Sequence, residues 1–265
     1  MLPLLVSTPH SSAQVPHWIL ANMLETGERP EVLKRRLLRE GDPFTDEIFH
    51  IPEAAVTLNA LASRYVADLN RARDEEGENG VIKFIDFSRR PFYPSGYVVS
   101  PWERELRLSL YYDPYHGAIE KTLSGGIIRF FIDGHSMEAQ GPALGPDQDA
   151  LRPALCVSNF GDAEGEPVDG PTSCPPAQAR RIRDLLSEYL AGPISESRLT
   201  AGVRLNDPFD GGHILRKYSS PPFNVPGVMI EVNRALYLDE RTLEPLSGRI
   251  QKLRKAMARL SREAI

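Results

Sequence analysis

Cysteine is scarce in this chain, and positive charge is not concentrated anywhere along it. Cys156 and Cys174 are the only cysteines and do not form a CxxC pair, which excludes a disulfide framework and a thiolate zinc site. Any metal would therefore need nitrogen and oxygen ligands. The 31 basic residues are outnumbered by 36 acidic ones, for a net charge of −5. Without a basic stripe to neutralise phosphates, we expect no nucleic-acid partner.

Long apolar runs are also missing. No segment approaches the roughly 20 apolar residues that a membrane-spanning helix needs. The apolar start at residues 1–6 is too short for a signal peptide and lacks a basic leader. We therefore expect a cytoplasmic protein that has no membrane partner.

The composition is that of a folded globular protein. Its 265 residues, 41% hydrophobic and 25% charged, predict a single domain over residues 1–265. Short apolar runs alternate with amphipathic segments, which favours an α/β fold, a three-layer αβα sandwich around a mixed central sheet.

The hydrophobic pattern predicts where the elements lie. Strands are predicted over residues 2–7, 64–69, 127–132, 154–158, 200–205 and 227–232. Helices are predicted over residues 31–39, 46–62, 102–123 with a kink at Pro114, 175–190 and 241–261. The Gly- and Pro-rich segment 70–101 is too long for a simple connection, so we expect it to form a lid or specificity loop.

Three polar residues stand in or directly after apolar strands: His10, His135 and Glu231. A catalytic zinc needs about three His or carboxylate ligands and an open position for water, and a nearby carboxylate can move the proton. Each histidine could equally be a hydrogen-bonded loop residue. Glu231 could equally pair with an arginine such as Arg234.

Several short motifs, taken together and in this order, resemble those of the N-formylglutamate amidohydrolase (deformylase) family. They are Ser7-Thr8-Pro9-His10, Thr45-Asp46, Asp68-Leu69-Asn70-Arg71, Pro114-Tyr115-His116, Asp133-Gly134-His135-Ser136-Met137, Gly211-Gly212-His213-Ile214 and Glu231-Val232-Asn233-Arg234-Ala235-Leu236-Tyr237. That family is similar in fold to the zinc carboxypeptidases (phosphorylase/hydrolase-like) and to aspartoacylase.

The resemblance implies a metal site with one departure from those relatives. Ala13 stands three residues after His10, so the His-x-x-Glu ligand pair of the carboxypeptidases is absent. The resemblance then implies zinc, or another divalent ion, held by His10, Asp46 and His135. The neighbouring Glu40, Asp42 and Glu47 are alternatives for the carboxylate, and Asp46 could instead be an acidic residue favoured by a helix dipole.

The resemblance also implies roles for other residues. Glu231 is expected to act as general base and then acid, with His213 as a second catalytic residue. Asn70 and Arg71 are expected to bind the substrate. Arg216 and Arg234 are further candidates, because guanidinium groups grip carboxylates bidentately; a salt bridge within the protein is the alternative for each arginine.

The function that the resemblance implies is hydrolysis of N-formyl-L-glutamate, or a similar small N-acyl amino acid, to glutamate and formate, with a place in histidine degradation. The alternatives are a zinc carboxypeptidase or amidase that acts on peptides or cell-wall fragments, and a non-catalytic binding protein with the same fold. The sequence does not indicate an oligomeric state.

Overall fold

A mixed sheet forms the centre of the computed structural model, which describes residues 1–197, 199–220 and 222–264. Its strands are β1 (Leu2–Thr8), β2 (Ala54–Asn59), β3 (Phe130–Met137), β4 (Leu155–Ser158), β5 (Val203–Leu205) and β6 (Gly227–Asn233). They lie in the order β2-β1-β3-β6-β4-β5. The first four strands of that order are parallel, and β4 and β5 run antiparallel to β6. A separate hairpin pairs β7 (Leu238–Asp239) with β8 (Glu244–Pro245).

Helices cover both faces of this sheet. They are α1 (His17–Leu24), α2 (Pro30–Glu40), α3 (Thr45–Ile48), α4 (Pro101–Arg107), α5 (Asp113–Ser124), α6 (Pro176–Tyr189), α7 (Ala191–Ser195), α8 (His213–Ser219) and α9 (Arg249–Ala264). A π-helical turn, Leu108–Tyr112, joins α4 to α5, and a 3-10 turn, Arg234–Leu236, follows β6. Among the described residues, no helix combines the length and the apolar character needed to cross a membrane.

Alternate strand residues belong to different helical layers, since successive side chains of a strand point to opposite faces. Leu4 and Val6 pack in the core that α3, α6 and α9 cover. Leu5, between them, packs in the core that α5 and α8 cover. The α/β class and the αβα layering around a mixed sheet are therefore confirmed.

The sheet also decides where the polar residues meet. Because β1, β3 and β6 are parallel neighbours, their carboxyl ends lie at one edge, where ligand sites of open α/β sheets collect. His10 follows β1, while His135 on β3 is paired directly with Glu231 on β6. Strand β3 continues through His135, whereas the predicted strand ends at residue 132.

Two predicted elements in the first third of the chain are wrong. The predicted helix over 46–62 is only the short α3, after which Pro52 precedes β2 at the edge of the sheet. Proline disrupts a helix interior, and β-branched Val56 and Thr57 suit a strand. The predicted strand over 64–69 is irregular. Its apolar side chains divide between two cores, Tyr65 and Val66 in one and Ala67 and Leu69 in the other, instead of alternating across a sheet.

The last helix starts later than predicted, and the kink predicted at Pro114 takes the form of a π-helical turn before α5. The hairpin β7-β8 occupies the chain before α9, which begins at Arg249. Pro114 lacks the amide hydrogen that would continue the helical bonding, and the π-helical turn lies directly before α5. Residues 70–100 form a long segment that has no helix or strand in the described chain and only isolated bridges at 79–83 and 85–91; α4 begins at Pro101.

Candidate metal centre and active site

Two histidines and an aspartate converge at the carboxyl edge of the sheet. Asp42 Oδ2 lies 3.4 Å from His10 Nδ1 and 3.1 Å from His135 Nδ1. The three side chains are buried, and one ligand atom from each lies within 4.8 Å of the others. Two imidazoles and a carboxylate are a donor set that suits zinc and related divalent ions.

The second nitrogen of each imidazole faces another buried carboxylate. His10 Nε2 lies 2.7 Å from Asp68 Oδ1, and His135 Nε2 lies 3.1 Å from Asp133 Oδ2. A ring that donates its Nε2 proton to a carboxylate keeps a lone pair on Nδ1, the arrangement that orients metal-binding histidines. Two such lone pairs facing the oxygen of Asp42 need a cation or protons among them, so these residues fit a metal ion.

Charges around the centre keep its carboxylates ionised. Burial opposes ionisation of Asp42, yet without a metal ion the His10 and His135 rings donate hydrogen bonds to it, which hold its pKa well below the usual range. Burial opposes ionisation of Asp68 as well, but the charges of Arg64 and Lys83 hold its pKa well below normal. The resulting negative charge favours a bound divalent cation.

Asp68 is itself held by two cations. Arg64 Nη2 lies 2.8 Å and Lys83 Nζ 3.2 Å from its Oδ2, which leaves Oδ1 to His10. Lys83 is almost completely buried, and burial lowers its pKa to about 8. Lys83 belongs to the 70–101 segment, so this segment contributes, through Asp68, to the support of His10.

Asp42, and not Asp46, supplies the carboxylate that lies with the histidines. The backbone N–H of Asp42 donates to the carbonyl of His10 at 2.8 Å, which ties this turn to the end of β1. Phe44 adopts a left-handed φ of 66° before α3 begins, and Asp46 in α3 is half-buried and outside the cluster of possible ligands. The prediction of Asp46 is thus replaced by Asp42 four residues earlier.

Arg234, expected to bind substrate, is largely engaged by the protein. Its Nη1 donates to the Arg39 carbonyl at 2.6 Å and its Nη2 to the Gly41 carbonyl at 2.5 Å. Nη2 also lies 3.4 Å from Asp42 Oδ1, and Nε donates to Ser136 Oγ at 3.1 Å. Its contacts therefore hold the turn that carries Asp42.

Glu231 lies opposite His135 in the sheet and is 9% exposed. Its Oε2 is buried and has no hydrogen-bond partner among the described residues. Burial raises the pKa of Glu231, against the opposing charge of His135. The alternative of an ion pair with Arg234 is not what the structure has, and an unpartnered buried carboxylate beside a metal-ligand cluster suits proton transfer.

A cavity of about 470 Å³ opens onto these groups. The residues predicted from the sequence that line it are His10, Asn70, Arg71, His135, His213, Arg216, Glu231 and Arg234. All predicted site residues except Asp46 are therefore brought together around one space.

Asn70 is held by a close approach between two loops. Its Oδ1 accepts from the backbone N–H of Ile214 at 2.9 Å, and its Nδ2 lies 3.4 Å from His135 Nε2. A Cβ on Gly212 would lie 2.4 Å from Asn70 Nδ2, so a larger residue would displace this amide. The paired glycines before His213 thus permit Asn70 to lie beside the histidine.

The two remaining arginines differ in their partners. Arg71 pairs with Glu75 at 2.8 Å and is about a third exposed, at 35%. Arg216 is exposed, packs 4.0 Å from the centre of the Phe160 ring and makes no salt bridge within the described residues. Both guanidinium groups can take up a substrate carboxylate with little loss of internal contacts.

Two further histidines differ in environment, since His213 lies at the cavity and His116 in the core. His213, the first residue of α8, is half-buried with Nε2 3.4 Å from the Tyr112 hydroxyl, and burial lowers its pKa. His116 hydrogen-bonds Tyr218 at 2.7 Å and the Leu69 carbonyl at 3.0 Å, while burial lowers its pKa to about 3. His116 is therefore a neutral packing residue.

Sequence reasoning assigned no role to Asp68 or Asp133, although both begin motifs that it singled out. Asp133 is two residues before His135 on β3 and so lies on the same face of the sheet, a signal that was available. Asp68 reaches His10 only through the irregular path of residues 60–70, which no periodicity reveals.

Comparison with known proteins identifies relatives over most of the chain. The family model described as N-formylglutamate amidohydrolase matches residues 2–238. The N-formylglutamate deformylase of Pseudomonas aeruginosa is 30% identical over 257 residues, covering 91% of this chain and 84% of the relative. The enzyme of that name from Pseudomonas putida is 27% identical over 265 residues, covering 94% and 85%.

A solved structure shares the fold. The N-formylglutamate amidohydrolase from Ralstonia eutropha superposes with a TM-score of 0.70 at 22% identity, covering 99% of this chain and 94% of that one. The likeness extends over the whole sheet and both helical layers.

Proposed function

Since this chain belongs to the N-formylglutamate amidohydrolase family, we propose that it hydrolyses the formyl amide of N-formyl-L-glutamate, or of a similar N-acyl amino acid, to the free amino acid and the carboxylic acid. The observation that carries this proposal is the buried cluster of His10, Asp42 and His135 beside the unpartnered carboxylate of Glu231. Both border one cavity that arginines also line.

In this proposal His10, Asp42 and His135 hold a divalent ion, and nitrogen and oxygen donors of this kind favour zinc. When bound, the ion would lower the pKa of a water molecule and polarise the amide carbonyl. Asp68 and Asp133 keep the two imidazoles in the tautomer that leaves Nδ1 free.

Glu231 moves the proton. Its carboxylate takes a proton from the water that attacks the formyl carbon, and returns it to the amine nitrogen when the carbon–nitrogen bond breaks. Formate and glutamate are the products. Burial raises the pKa of Glu231, which favours its protonated form once it has taken the proton and so suits a group that acts first as base and then as acid.

The remaining residues hold and orient the substrate. Arg71 and Arg216 line the cavity and would bind the side-chain carboxylate of the substrate, while Asn70 would offer an amide beside His135. His213, whose pKa burial lowers, is neutral at pH 7, so its ring can donate one hydrogen bond to the carbonyl oxygen as negative charge develops there.

Metal analysis of the purified protein combined with a formate-release assay tests this proposal. We expect about one zinc per chain, release of formate from N-formyl-L-glutamate, and loss of both after chelation with recovery when zinc is returned. Protein that releases no formate even with zinc restored would refute the proposal. Hydrolysis of a peptide or a cell-wall amide in its place would favour the carboxypeptidase or amidase alternative. A cytoplasmic location and a place in histidine degradation remain predictions.

A further inference from the structure

Arg152 lines the active-site cavity, although no sequence motif drew attention to it. It lies just before β4, at the end of the connection from β3, and is 5% exposed. Its Nε and Nη2 each donate to Asp147 at 2.7 Å, and the guanidinium lies 4.9 Å from the centre of the Phe209 ring. A bidentate pair of this kind fixes the guanidinium plane in one orientation.

The third nitrogen of this guanidinium has no hydrogen-bond partner among the residues that the structure describes. Nη1 makes no hydrogen bond to any described residue, and it is not among the atoms sealed from solvent without a partner. Because Arg152 is otherwise buried and lines the cavity, Nη1 is the donor that it offers there.

Arg152 and Arg216 lie at different depths of the cavity. Arg152 comes just before β4, whose Cys156 is paired with Glu231 on β6. Its carbonyl accepts from Asn233 Nδ2 at 3.4 Å, so Arg152 lies beside the end of the strand that carries Glu231. Arg216 is exposed and also borders a second cavity of about 530 Å³. Arg152 is thus the cation near the reacting end, and Arg216 is the cation at the outer end.

We propose that Arg152 binds the α-carboxylate of the substrate while Arg216 binds its side-chain carboxylate, an inference that rests on the proposed function. The α-carboxylate is attached to the carbon next to the amide nitrogen that Glu231 protonates. A cation that serves it must therefore lie close to Glu231, as Arg152 does. The side-chain carboxylate of glutamate is two methylenes further out, on the side of Arg216.

Two analogues of N-formyl-L-glutamate separate the two contacts. N-formyl-L-isoglutamine has an amide in place of the α-carboxylate, and N-formyl-L-glutamine has an amide in place of the side-chain carboxylate. We expect the wild-type kcat/KM to favour N-formyl-L-glutamate over each analogue by about 10–100-fold, the range for a charged hydrogen bond. Arg152→Gln should abolish the preference over isoglutamine and keep the preference over glutamine, and Arg216→Gln should do the opposite.

Arg204→Gln is the matched control, because Arg204 is exposed and pairs with Asp207 away from the cavity; both preferences should stay as in the wild type. Each preference is a ratio of two substrates on one preparation, so it does not depend on how much of the protein is folded. If Arg152→Gln yields no soluble protein, Asp147→Asn carries the same test, since it leaves Arg152 in place but releases its orientation and should weaken the isoglutamine preference alone.

The outcomes separate this inference from the proposed function. An active wild type whose preference over isoglutamine survives in Arg152→Gln, or in Asp147→Asn when that variant carries the test, overturns the inference and leaves the function intact. A wild type with bound zinc that releases formate from none of the three substrates overturns the function itself, and the inference with it.

Discussion

The two walls of the active-site cavity are built differently. The sheet wall, formed by His10, His135 and Glu231, lies on or directly after parallel strands, and all three side chains are buried. The loop wall, which includes Arg71 and Arg216, lies on the 70–101 segment and on α8, where both side chains are more exposed.

The difference follows from what each wall has to do. Proton transfer and metal binding depend on positions held to within about 0.5 Å, which packed strands provide. Substrate recognition can vary with the loops that a rigid scaffold carries. Substitutions on the sheet wall should therefore affect turnover or metal affinity, and substitutions on the loop wall should affect substrate affinity.

The largest effect is expected for Glu231→Gln. Glutamine keeps the shape of the side chain but cannot accept the proton, so kcat should fall by about 10²–10⁴-fold while bound metal stays at the wild-type level. Steady-state kinetics and metal analysis on the same sample check this. Glu244→Gln, on the exposed β8 strand, is the control. A Glu231→Gln enzyme with more than a tenth of wild-type kcat would remove Glu231 from the proton transfer.

The next-largest effect, on zinc affinity, distinguishes Asp42 from Asp46 as the ligand that joins His10 and His135. Asp42→Asn removes a charged ligand, and zinc affinity should fall by more than about 100-fold, beyond the usual cost of losing a residue that only orients a ligand. Asp46→Asn should change the affinity by less than about twofold, since Asp46 lies outside the cluster. Competition with a chromogenic chelator measures both. The reverse pattern would restore Asp46 as the ligand.

A smaller loss of zinc affinity is expected for Asp68→Asn. Asp68 touches His10 and not the proposed metal position, so zinc affinity should fall by about 10–100-fold. Because Arg64 and Lys83 also lose their counter-charge, thermal unfolding of the metal-free variant must be measured alongside. Unchanged zinc affinity in a folded variant would show that Asp68 only pairs with Arg64 and Lys83 and does not support metal binding.

The smallest effect is expected on the loop wall, for Arg71→Gln. KM for N-formyl-L-glutamate should rise about tenfold, equivalent to about 1.4 kcal/mol, with little change in kcat or bound metal. Arg73→Gln is matched to it, because Arg73 pairs with Asp113 and Glu105 and does not line the cavity. A fall in kcat at constant KM would contradict the division between the walls.

Sequence reasoning was most successful for the sheet wall. Glu231 lies within a short apolar run, and His10 and His135 follow such runs, which favour buried strands. Their meeting at one edge of a parallel sheet agrees with that pattern. The loop wall was harder to predict. Helix α8, which carries His213 and Arg216, is only seven residues long and was not predicted, because so short a helix has little periodicity.

The choice between Asp42 and Asp46 shows what local patterns leave open. Asp42 lies in the turn that leads into α3 and Asp46 in the first turn of α3, and both are acidic residues close to a predicted helix start. The choice depends on the left-handed Phe44 and on the bond from the Asp42 amide to the His10 carbonyl. The residue types alone predict neither the backbone conformation of Phe44 nor this hydrogen bond.

By itself, the sequence determined the α/β class, the strands that carry His10, His135 and Glu231, and the family to which the chain belongs, because hydrophobic period and ordered motifs are local properties. Only the tertiary structure decided that Asp42 completes the cluster, that Asp68 and Asp133 face the histidines, that Arg234 binds backbone carbonyls, and that Arg152 enters the cavity. Each of these depends on contacts between segments distant along the chain, whose meeting is set by packing and by the pairing of buried charges.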